Sequence, residues 1–318
     1  MRRVALVTTA SDLAADLVIL YLKRRGIPFL RINQEDFPRR FSVCWPGTAG
    51  QGEIGFSTGT VPVADIGSGW FRHPLDTSVG GAEGERAVAD FVARESAGFL
   101  SGFWETTPWF WMNRPSRVAY AASKLVQLAR APQFDLRVPR TLITNSPDAA
   151  REFVQRRSCI AKAVVGGGFP DRGARSAIYT HPVMPGDLAM DAAIQASPVI
   201  FQERIPNAFD LRVTVVGKRV FATKISIRDR TEEADWRAVD PSRLSHQRYR
   251  LSSALEASAL ALTQSFELTF AALDFVVTPD GEPFFLELNP SGQWGWLEEA
   301  TGDPITATIG DLLASGLG

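Results

Sequence analysis

A stretch near the carboxyl end carries polar side chains at positions where metal chemistry is possible. Residues 284–289 read as an apolar strand, but Glu287 and Asn289 interrupt it two residues apart. Side chains two apart in a strand point to the same face. A carboxylate and an amide oxygen side by side can bind a hard divalent cation such as magnesium, which shares its oxygen ligands with nucleotide phosphates. A half-buried strand with polar residues facing solvent is an equally good interpretation of this pair alone.

A neighbouring strand can bring a third oxygen ligand to the same place. The sequence at 278–281 is Thr-Pro-Asp-Gly, a strong hairpin turn between predicted strands at 269–277 and 282–289. Because the hairpin aligns its strands antiparallel, Asp274 can face the glutamate and asparagine across the ladder. The sequence therefore predicts three converging oxygen ligands.

Asp210 and Arg212 form another pair of charged residues two apart in a predicted strand. The two side chains share one face of that strand. An arginine in such a place can stabilise charge on a transferring phosphoryl group, which is the main requirement of that chemistry. Considered without neighbours, a structural Asp–Arg pair is the preferred interpretation.

Lys162 lies inside an apolar strand predicted at 159–165 and is followed by three glycines at 166–168. An unpaired lysine facing the core would be costly. The backbone amides of a glycine loop can approach an anion closely. Lysine and loop together predict a phosphate cradle that differs in sequence from a P-loop. A lysine pointing to solvent beside a flexible turn is the alternative.

The elements that must position these residues begin with a βαβ unit. Strand 4–9, helix 12–25 and strand 29–33 favour a small parallel sheet. A β-meander at 47–69 and a long helix at 83–104 complete a first domain that ends near residue 115. The predicted first helix is amphipathic and carries on one side Leu13, Leu17, Leu20 and Tyr21.

The rest of the chain reads as α/β followed by α+β, with an antiparallel C-terminal sheet. A helix predicted at 116–130, with Ser116 as its N-cap, carries Lys124. Further strands are predicted at 138–144, 159–165, 178–181, 199–204, 210–216 and 219–227, and further helices at 147–156, 187–195 and 251–265.

Composition narrows the functional classes. A net charge of −1 over 318 residues gives no electrostatic reason to expect nucleic-acid binding. Cys44 and Cys159 lack metal-ligand spacing and are interpreted as small apolar residues. No apolar run approaches the ~20 residues that span a bilayer. Asp12 and Asp16 interrupt the N-terminal apolar region before it reaches the length of a signal peptide. We therefore expect a cytoplasmic protein without membrane or nucleic-acid partners.

These residues, taken in order, resemble a known family. The series that resembles the ATP-grasp ligases, most closely their RimK-like branch, is Lys124, Lys162 with its glycine loop, Gln202-Glu203-Arg204-Ile205, Asp210-Leu211-Arg212, Asp274 and Glu287-Leu288-Asn289-Pro290. Three further elements resemble the microviridin-type ligases, also called graspetide synthetases: Trp70-Phe71-Arg72, Asp235-Trp236-Arg237 and Asn289-Pro290-Ser291-Gly292-Gln293-Trp294.

The resemblance implies an ATP-grasp fold with an N-terminal pre-ATP-grasp α/β domain at 1–115, a central subdomain at 116–205 and a C-terminal subdomain at 206–318. It also implies ATP and Mg2+ as cofactors. The implied roles are phosphate contacts for Lys124, Lys162 and Gly167, adenine contacts for Glu203 and Ile205, a ribose contact for Asp210, catalysis by Arg212, and magnesium binding by Asp274, Glu287 and Asn289.

For the substrate, the resemblance implies a ribosomally made precursor peptide and a homodimeric enzyme. Such a ligase converts an Asp or Glu side chain to an acyl phosphate and links it to a Ser/Thr hydroxyl or a Lys amine. Arg72, Lys224 and Arg237 are the cations that could bind the acidic core, and Asp235 lies in an acidic loop that could receive a basic leader residue. An exposed strand-end arginine is the alternative for Arg72, and from spacing alone it is the preferred one. Surface charge is the alternative for Lys224 and Arg237, and a solvated loop for Asp235.

Two other functions stay open at this point. A RimK-like ligase that adds a free amino acid would share every ATP-binding residue and differ in its acceptor pocket. An inactive ATP-grasp fold could serve as a peptide-binding module, but the intact Arg212, Asp274, Glu287 and Asn289 argue against it. The Asp-Trp-Arg and Gly-Gln-Trp elements favour the peptide macrocyclase over the amino-acid ligase.

Overall fold

A computed structural model of the protein describes residues 2–72, 74, 86–165, 168–171, 174–177, 180–184, 186–228 and 236–317. The N-terminal elements are β1 (Arg3–Thr8), α1 (Leu13–Arg24), β2 (Phe29–Asn33), β3 (Phe41–Cys44), β4 (Glu53–Phe56), β5 (Gly59–Pro62), β6 (Ile66–Phe71), α2 (Arg86–Thr106) and β7 (Phe110–Trp111). Strands β2, β1, β6 and β7 form a parallel sheet in that order. Strands β3, β4 and β5 form an antiparallel meander that begins at Phe41, before the predicted range of 47–69.

Helix α1 has the predicted position, but it buries a different side. Asp12 caps the helix by accepting hydrogen bonds from the first-turn amides. Leu13, Leu17 and Leu20 are 78, 40 and 48% exposed, and they line a cavity of about 1020 Å³ between α1 and the segment 293–299. Small residues let the helix approach the sheet, so the buried face holds Ala14, Ala15, Val18 and Leu22.

The central elements are α3 (Pro115–Ala121), α4 (Lys124–Arg130), β8 (Thr141–Thr144), α5 (Pro147–Gln155), β9 (Cys159–Ala163), β10 (Gly168–Asp171), β11 (Ala174–Ala177), β12 (His181–Pro182), α6 (Asp191–Ala196) and β13 (Val199–Glu203). Strands β12, β9, β13 and β8 form an antiparallel sheet in that order.

The helix predicted at 116–130 is divided into α3 and α4. Pro115 occupies the first turn of α3, so Ser116 is not the cap. The buried amide of Gln127 donates to Ala121 O at 2.6 Å, and that carbonyl lies at the break between the helices. Lys124 consequently begins α4 rather than lying in the middle of a helix. The same Gln127 side chain bonds the Leu288 backbone in both directions and fixes α4 along β18 (Pro283–Asn289).

The remaining C-terminal elements are β14 (Phe209–Val216), β15 (Arg219–Ile227), β16 (Leu244–Arg248), α7 (Ser253–Ser265), β17 (Phe270–Val277), α8 (Gly295–Thr301) and α9 (Ile305–Ser315). Strands β16, β15, β14, β17 and β18 form the predicted antiparallel sheet. Leu211, Val213 and Leu273 belong to a core cluster on one face of this sheet, together with apolar side chains of α7.

The other face of that sheet packs against the N-terminal part of the chain. Val216, Phe270 and Trp294 share a buried cluster with Val4 and Trp70. Helix α9 belongs to the same cluster and contacts α1, where the Tyr21 hydroxyl donates to Asp311. The N-terminal sheet and the C-terminal sheet are therefore joined by a common core. Over the described ranges, no helix is long and apolar enough to cross a bilayer.

Candidate active site

Three charged side chains form a row across neighbouring strands of the C-terminal sheet. Arg212 on β14 is in register with Asp274 on β17, which is in register with Glu287 on β18. Cross-strand partners share a face, so the three side chains are neighbours. Arg212 Nη1 donates to both Asp274 carboxylate oxygens at 2.7 Å. The predicted placement of Asp274 opposite Glu287 is confirmed, while the roles of the three residues stay predictions.

Glu287 lies at the centre of a group of cations. Lys124 Nζ, at the start of α4, is 3.7 Å from one carboxylate oxygen, and Arg237 Nη1 is 3.3 Å from the other. Burial raises the pKa of the Glu287 carboxyl, but Arg237, Lys124, Lys162 and Arg212 lower it more, so the net pKa lies below the ordinary value. The carboxylate is therefore held in its ionised form.

Asp274 responds to the same surroundings in the opposite direction. Burial raises the pKa of its carboxyl above the ordinary value, and this outweighs the Arg212 guanidinium, which lowers it; the nearby Glu287 raises it further. Two adjacent carboxyls with pKa values shifted apart are typical of functional sites.

Lys162 and Lys124 are both held by hydrogen bonds to the central sheet. Lys162 Nζ donates to Gln202 Oε1 at 2.7 Å, and the Gln202 amide in turn donates to Thr141 Oγ1 at 2.9 Å. Lys124 Nζ donates to Ala163 O at 3.1 Å. The partly buried Lys162 side chain is thus held by the buried Gln202 side chain, and its predicted phosphate contact stays a prediction. The sequence motif contained Gln202, but only the register of β13 with β9 shows that it reaches the lysine.

The residues predicted to contact adenine and ribose lie where the central part of the chain leads into the C-terminal sheet. Glu203 ends β13, and Ile205 follows in the connection to β14. Asp210 is buried on β14, and its carboxylate accepts a hydrogen bond from Asn207 at 3.1 Å. Asp210 and Arg212 share a face of the strand, as predicted. The nucleotide contacts of these residues stay predictions.

The oxygen donors at this site fit magnesium. Asn289 follows Glu287 by two positions, and its Oδ1 accepts a bond from the Ser291 amide at 2.9 Å while keeping a second lone pair. Within the described ranges, no group of three or more His, Cys, Asp and Glu side chains could hold a metal. The two carboxylates, Asp274 and Glu287, and the Asn289 amide oxygen are the groups that would hold magnesium, which commonly uses one or two carboxylates and completes its shell with phosphate oxygens.

Arg72 is not placed to bind a substrate peptide as predicted. Its side chain is completely buried, and its Nε lies 3.0 Å from Asp12 Oδ2. The sequence offered no sign of this pairing, because the partners are 60 positions apart and meet only through the β1–β6 pairing.

Lys224 also departs from its predicted role. It is in register with Leu211, so it lies on the face opposite to Arg212. Its Nζ lies 4.5 Å from the centre of the Phe209 ring. A cation on that face cannot share a pocket with the Arg212 row. Of the remaining predicted positions, Gly167 and Asp235 lie outside the described residues.

Aromatic side chains border the site on the β16 side. Trp296 packs against Trp236 with ring centres 5.2 Å apart and against His246 at 4.9 Å. Trp236 precedes Arg237, which reaches Glu287. Trp294, by contrast, is fully buried against Trp70 and Phe270 and supports the sheet. Of the two tryptophans in the Gln-Trp-Gly-Trp segment, Trp294 therefore lies in the core and Trp296 borders the site.

The site therefore combines a carboxylate pair lined by cations on one antiparallel sheet with Lys162 on a second antiparallel sheet. The sequence pattern of the RimK-like ATP-grasp domain matches residues 121–313. The chain belongs to this family, has the ATP-grasp fold and is an ATP-dependent ligase.

Several solved structures are similar to the chain over nearly its full length. The macrocyclase MdnC of Microcystis aeruginosa MRC, bound with precursor peptide MdnA, is 26% identical with a TM-score of 0.87, over 98% of this chain and 99% of that one. A RiPP-associated ATP-grasp ligase of Chryseobacterium gregarium, in complex with ADP and a leader and core peptide, is 25% identical with a TM-score of 0.87, over 99% and 97%. The macrocyclase MdnB of Microcystis aeruginosa MRC is 28% identical with a TM-score of 0.81, over 98% and 99%. None of the curated proteins compared with the chain matches it.

Proposed function

We propose that the protein is a peptide macrocyclase that activates Asp or Glu side chains of a ribosomal precursor with ATP. The observation that carries the proposal is the Arg212–Asp274–Glu287 row with Lys124 and Arg237 at its end. A row of cations beside two carboxylates suits a reaction in which charge moves between phosphate and carboxylate oxygens. Catalysis of phosphoryl transfer rests almost entirely on such positioning and charge stabilisation.

In the first step, a substrate carboxylate oxygen attacks the γ-phosphorus of ATP, and the bond to the β–γ bridging oxygen breaks. The products are an acyl phosphate and ADP. Arg212 stabilises the transferring phosphoryl group, and Lys124 and Lys162 hold phosphate oxygens. Glu203 and Ile205 contact adenine, and Asp210 the ribose. Asp274, Glu287 and Asn289 would hold magnesium, which supplies charge neutralisation at the phosphates when bound.

In the second step, a Ser/Thr hydroxyl or a Lys amine of the same peptide attacks the acyl carbon. Inorganic phosphate leaves, and the nucleophile loses its proton. The peptide thus loses one water per ring, and one ATP becomes ADP and phosphate. Arg237 is the cation that we place at the acidic core. It is half-exposed beside Glu287, so an incoming carboxylate can reach it.

Two observations support a peptide as substrate. The MdnC structure contains a precursor peptide, and the Chryseobacterium gregarium ligase contains a leader and a core. Both similarities cover nearly the full length of this chain, including the N-terminal part that lies outside the family match. We further propose a homodimer, which light scattering would detect as twice the 34.8 kDa of one chain.

Trapping the acyl phosphate tests this proposal. A precursor-like peptide with Glu but without Ser, Thr or Lys cannot close a ring, so its acyl phosphate should react with added hydroxylamine to give a hydroxamate. We expect one hydroxamate per ADP for the wild type and neither product for Arg212→Lys. Formation of ADP without hydroxamate would show that the peptide carboxylate is not the phosphoryl acceptor.

A further inference from the structure

The Arg72 guanidinium joins the N-terminal domain to the segment that follows β18. Its Nη1 donates to Ser291 O at 2.9 Å and Gly292 O at 3.2 Å, while its Nε faces Asp12. Asp12 is itself fixed by Thr8 Oγ1 at 2.8 Å and by the first amides of α1. The Arg72 guanidinium is therefore bonded on one side to Asp12, the cap of α1. On the other side it donates to the backbone carbonyls of Ser291 and Gly292.

Two tryptophans keep this guanidinium in place. The Arg72 Cζ lies 5.4 Å from the Trp70 ring centre and 4.7 Å from that of Trp294. An arginine packed beside two aromatic rings, with its Nε and Nη1 directed at fixed acceptors, loses much of its conformational freedom, although its buried Nη2 has no hydrogen-bond partner among the described residues. The Ser291 and Gly292 carbonyls consequently have one well-defined position.

The opposite side of the same backbone segment touches Arg212. A Cβ added at Gly292 would lie 2.8 Å from Arg212 Nη2 and 2.4 Å from the Ala272 Cβ, so only glycine permits this approach. Arg212 Nη2 also contacts Gln293 O at 3.5 Å. The Ser291 amide, meanwhile, donates to the Asn289 side chain. A displacement of residues 291–292 would therefore reach both Arg212 and Asn289.

We infer that Arg72 is a positioning residue for the ligase reaction: it fixes the backbone of 291–292 and thereby the orientation of Arg212. This inference rests on the catalytic role proposed for Arg212. Arg72 contacts neither nucleotide nor peptide, because its side chain is completely buried. It acts from outside the family-matched residues 121–313, so the N-terminal domain takes part in catalysis through this contact.

Arg72→Lys is the variant that tests the inference. A lysine keeps the charge beside Asp12 but cannot bond the aspartate and both carbonyls with one planar group. We expect kcat for ring formation to fall by about 10- to 100-fold, since a misplacement of about 1 Å at a catalytic group costs that much. The KM values for ATP and peptide should stay close to those of the wild type.

Arg31→Lys is the matched control. Arg31 also bonds an aspartate, Asp16, and two backbone carbonyls, those of Thr9 and Ala10, but all of these lie in the N-terminal domain. The Arg31→Lys variant should therefore have the same kcat as the wild type. Gly292→Ala, which displaces Arg212 from the other side of the segment, should lower kcat as Arg72→Lys does. The double variant should be little worse than either single one, because both act through one contact.

Crystal structures of Arg72→Lys and Gly292→Ala decide the inference independently of activity. We expect Arg212 Nη1 to leave its position between the two Asp274 oxygens. An unchanged Arg212, an unchanged kcat, or a loss confined to the KM for peptide overturns the positioning role. If the wild type forms no ring, the proposed function fails, and the position of Arg212 in the variants alone decides.

Discussion

At the scale of single residues, the site keeps opposite charges in contact. Asp274 and Glu287 are adjacent carboxylates, and each has a cation: Arg212 for the first, Lys124 and Arg237 for the second. A largely buried charge without a partner is costly, so this pairing keeps the site folded before substrates arrive. ATP and a peptide carboxylate bring negative oxygens that these same cations can bind.

Glu287→Gln should abolish magnesium-dependent ATP turnover without unfolding the protein. The amide keeps the size of the side chain but removes the charge that Lys124, Arg237 and a metal would share. ADP release and thermal unfolding measure the two effects. Glu282→Gln is the control, because Glu282 lies in the same hairpin as Glu287 but forms an exposed ion pair with Arg137, which lies outside the hairpin. Normal turnover in Glu287→Gln would contradict the metal assignment.

Arg237 and Lys224 were both predicted to bind the acidic peptide, but substitutions at the two positions should have different effects. Arg237→Gln removes a group next to Glu287, and we expect the rate of ring formation to fall at least about 10-fold, as for an electrostatic contact to reacting oxygens. Lys224→Met lies on the other face of the sheet and should lower stability by only about 0.5–1 kcal/mol through its lost contact with the Phe209 ring. Equal losses in the rate of ring formation for the two variants would contradict the placement of Lys224 on the face away from the site.

At the scale of elements, the contact between α1 and α9 holds the two ends of the chain together. A Cβ at Gly310 would lie 2.3 Å from the Tyr21 ring. Gly310→Ala should therefore lower the free energy of unfolding by about 1–3 kcal/mol. Gly102→Ala in α2 has no atom within 4 Å of the added Cβ and should raise it by about 0.5–1 kcal/mol. Chemical denaturation measures both, and a stabilising Gly310→Ala would show that this helix contact is loose.

The strand β16 gives the protein a pH-dependent stability. Burial beside Trp296 lowers the pKa of His246 below 6.5, and its Nε2 has no hydrogen-bond partner among the described residues. The unfolded chain therefore binds a proton that the folded chain does not, and stability should fall as pH drops below about 6.5 toward the folded pKa. His246→Gln should make this loss smaller between pH 7 and 5. Parallel stability curves would show that His246 does not contribute.

Much of the element order was predictable from sequence, and the failures have physical causes. The Thr-Pro-Asp-Gly turn acts locally, so the hairpin was predictable. The pairing of Asp274 with Glu287 also depends on a shift of the register between Asp274 and Phe275, without which Asp274 would pair with Leu286. The buried face of α1 could not be predicted from the sequence, since it depends on how closely α1 approaches the sheet. The division of α3 from α4 depends on Gln127, whose other partner lies 161 residues away. Arg72 looked like an exposed strand-end cation because its partners are far away in sequence: Asp12 lies 60 positions away, and Ser291 and Gly292 lie 219 and 220 positions away.

At the scale of the whole molecule, the site is built by all three parts of the chain. The central part contributes Lys124 and Lys162, and the C-terminal sheet contributes Arg212 and the carboxylates. The N-terminal part of the chain reaches the same place through Arg72 and through Asn113, whose amide donates to Phe270 O at 2.7 Å and Pro290 O at 3.0 Å. Asn113 and Arg72 bond the backbone carbonyls of the consecutive residues 290–292 after β18. These residues therefore connect the N-terminal part of the chain to the Arg212–Asp274–Glu287 row.

The central claim is that this chain closes rings in a peptide with ATP. Mass spectrometry of an acidic precursor peptide containing Ser, Thr or Lys, incubated with the protein, ATP and Mg2+, tests the claim most directly. We predict the loss of one water and the release of one ADP per ring, with Asp or Glu as one partner in each new bond. A gain of one amino-acid mass, or ADP release from an unchanged peptide, would contradict the macrocyclase.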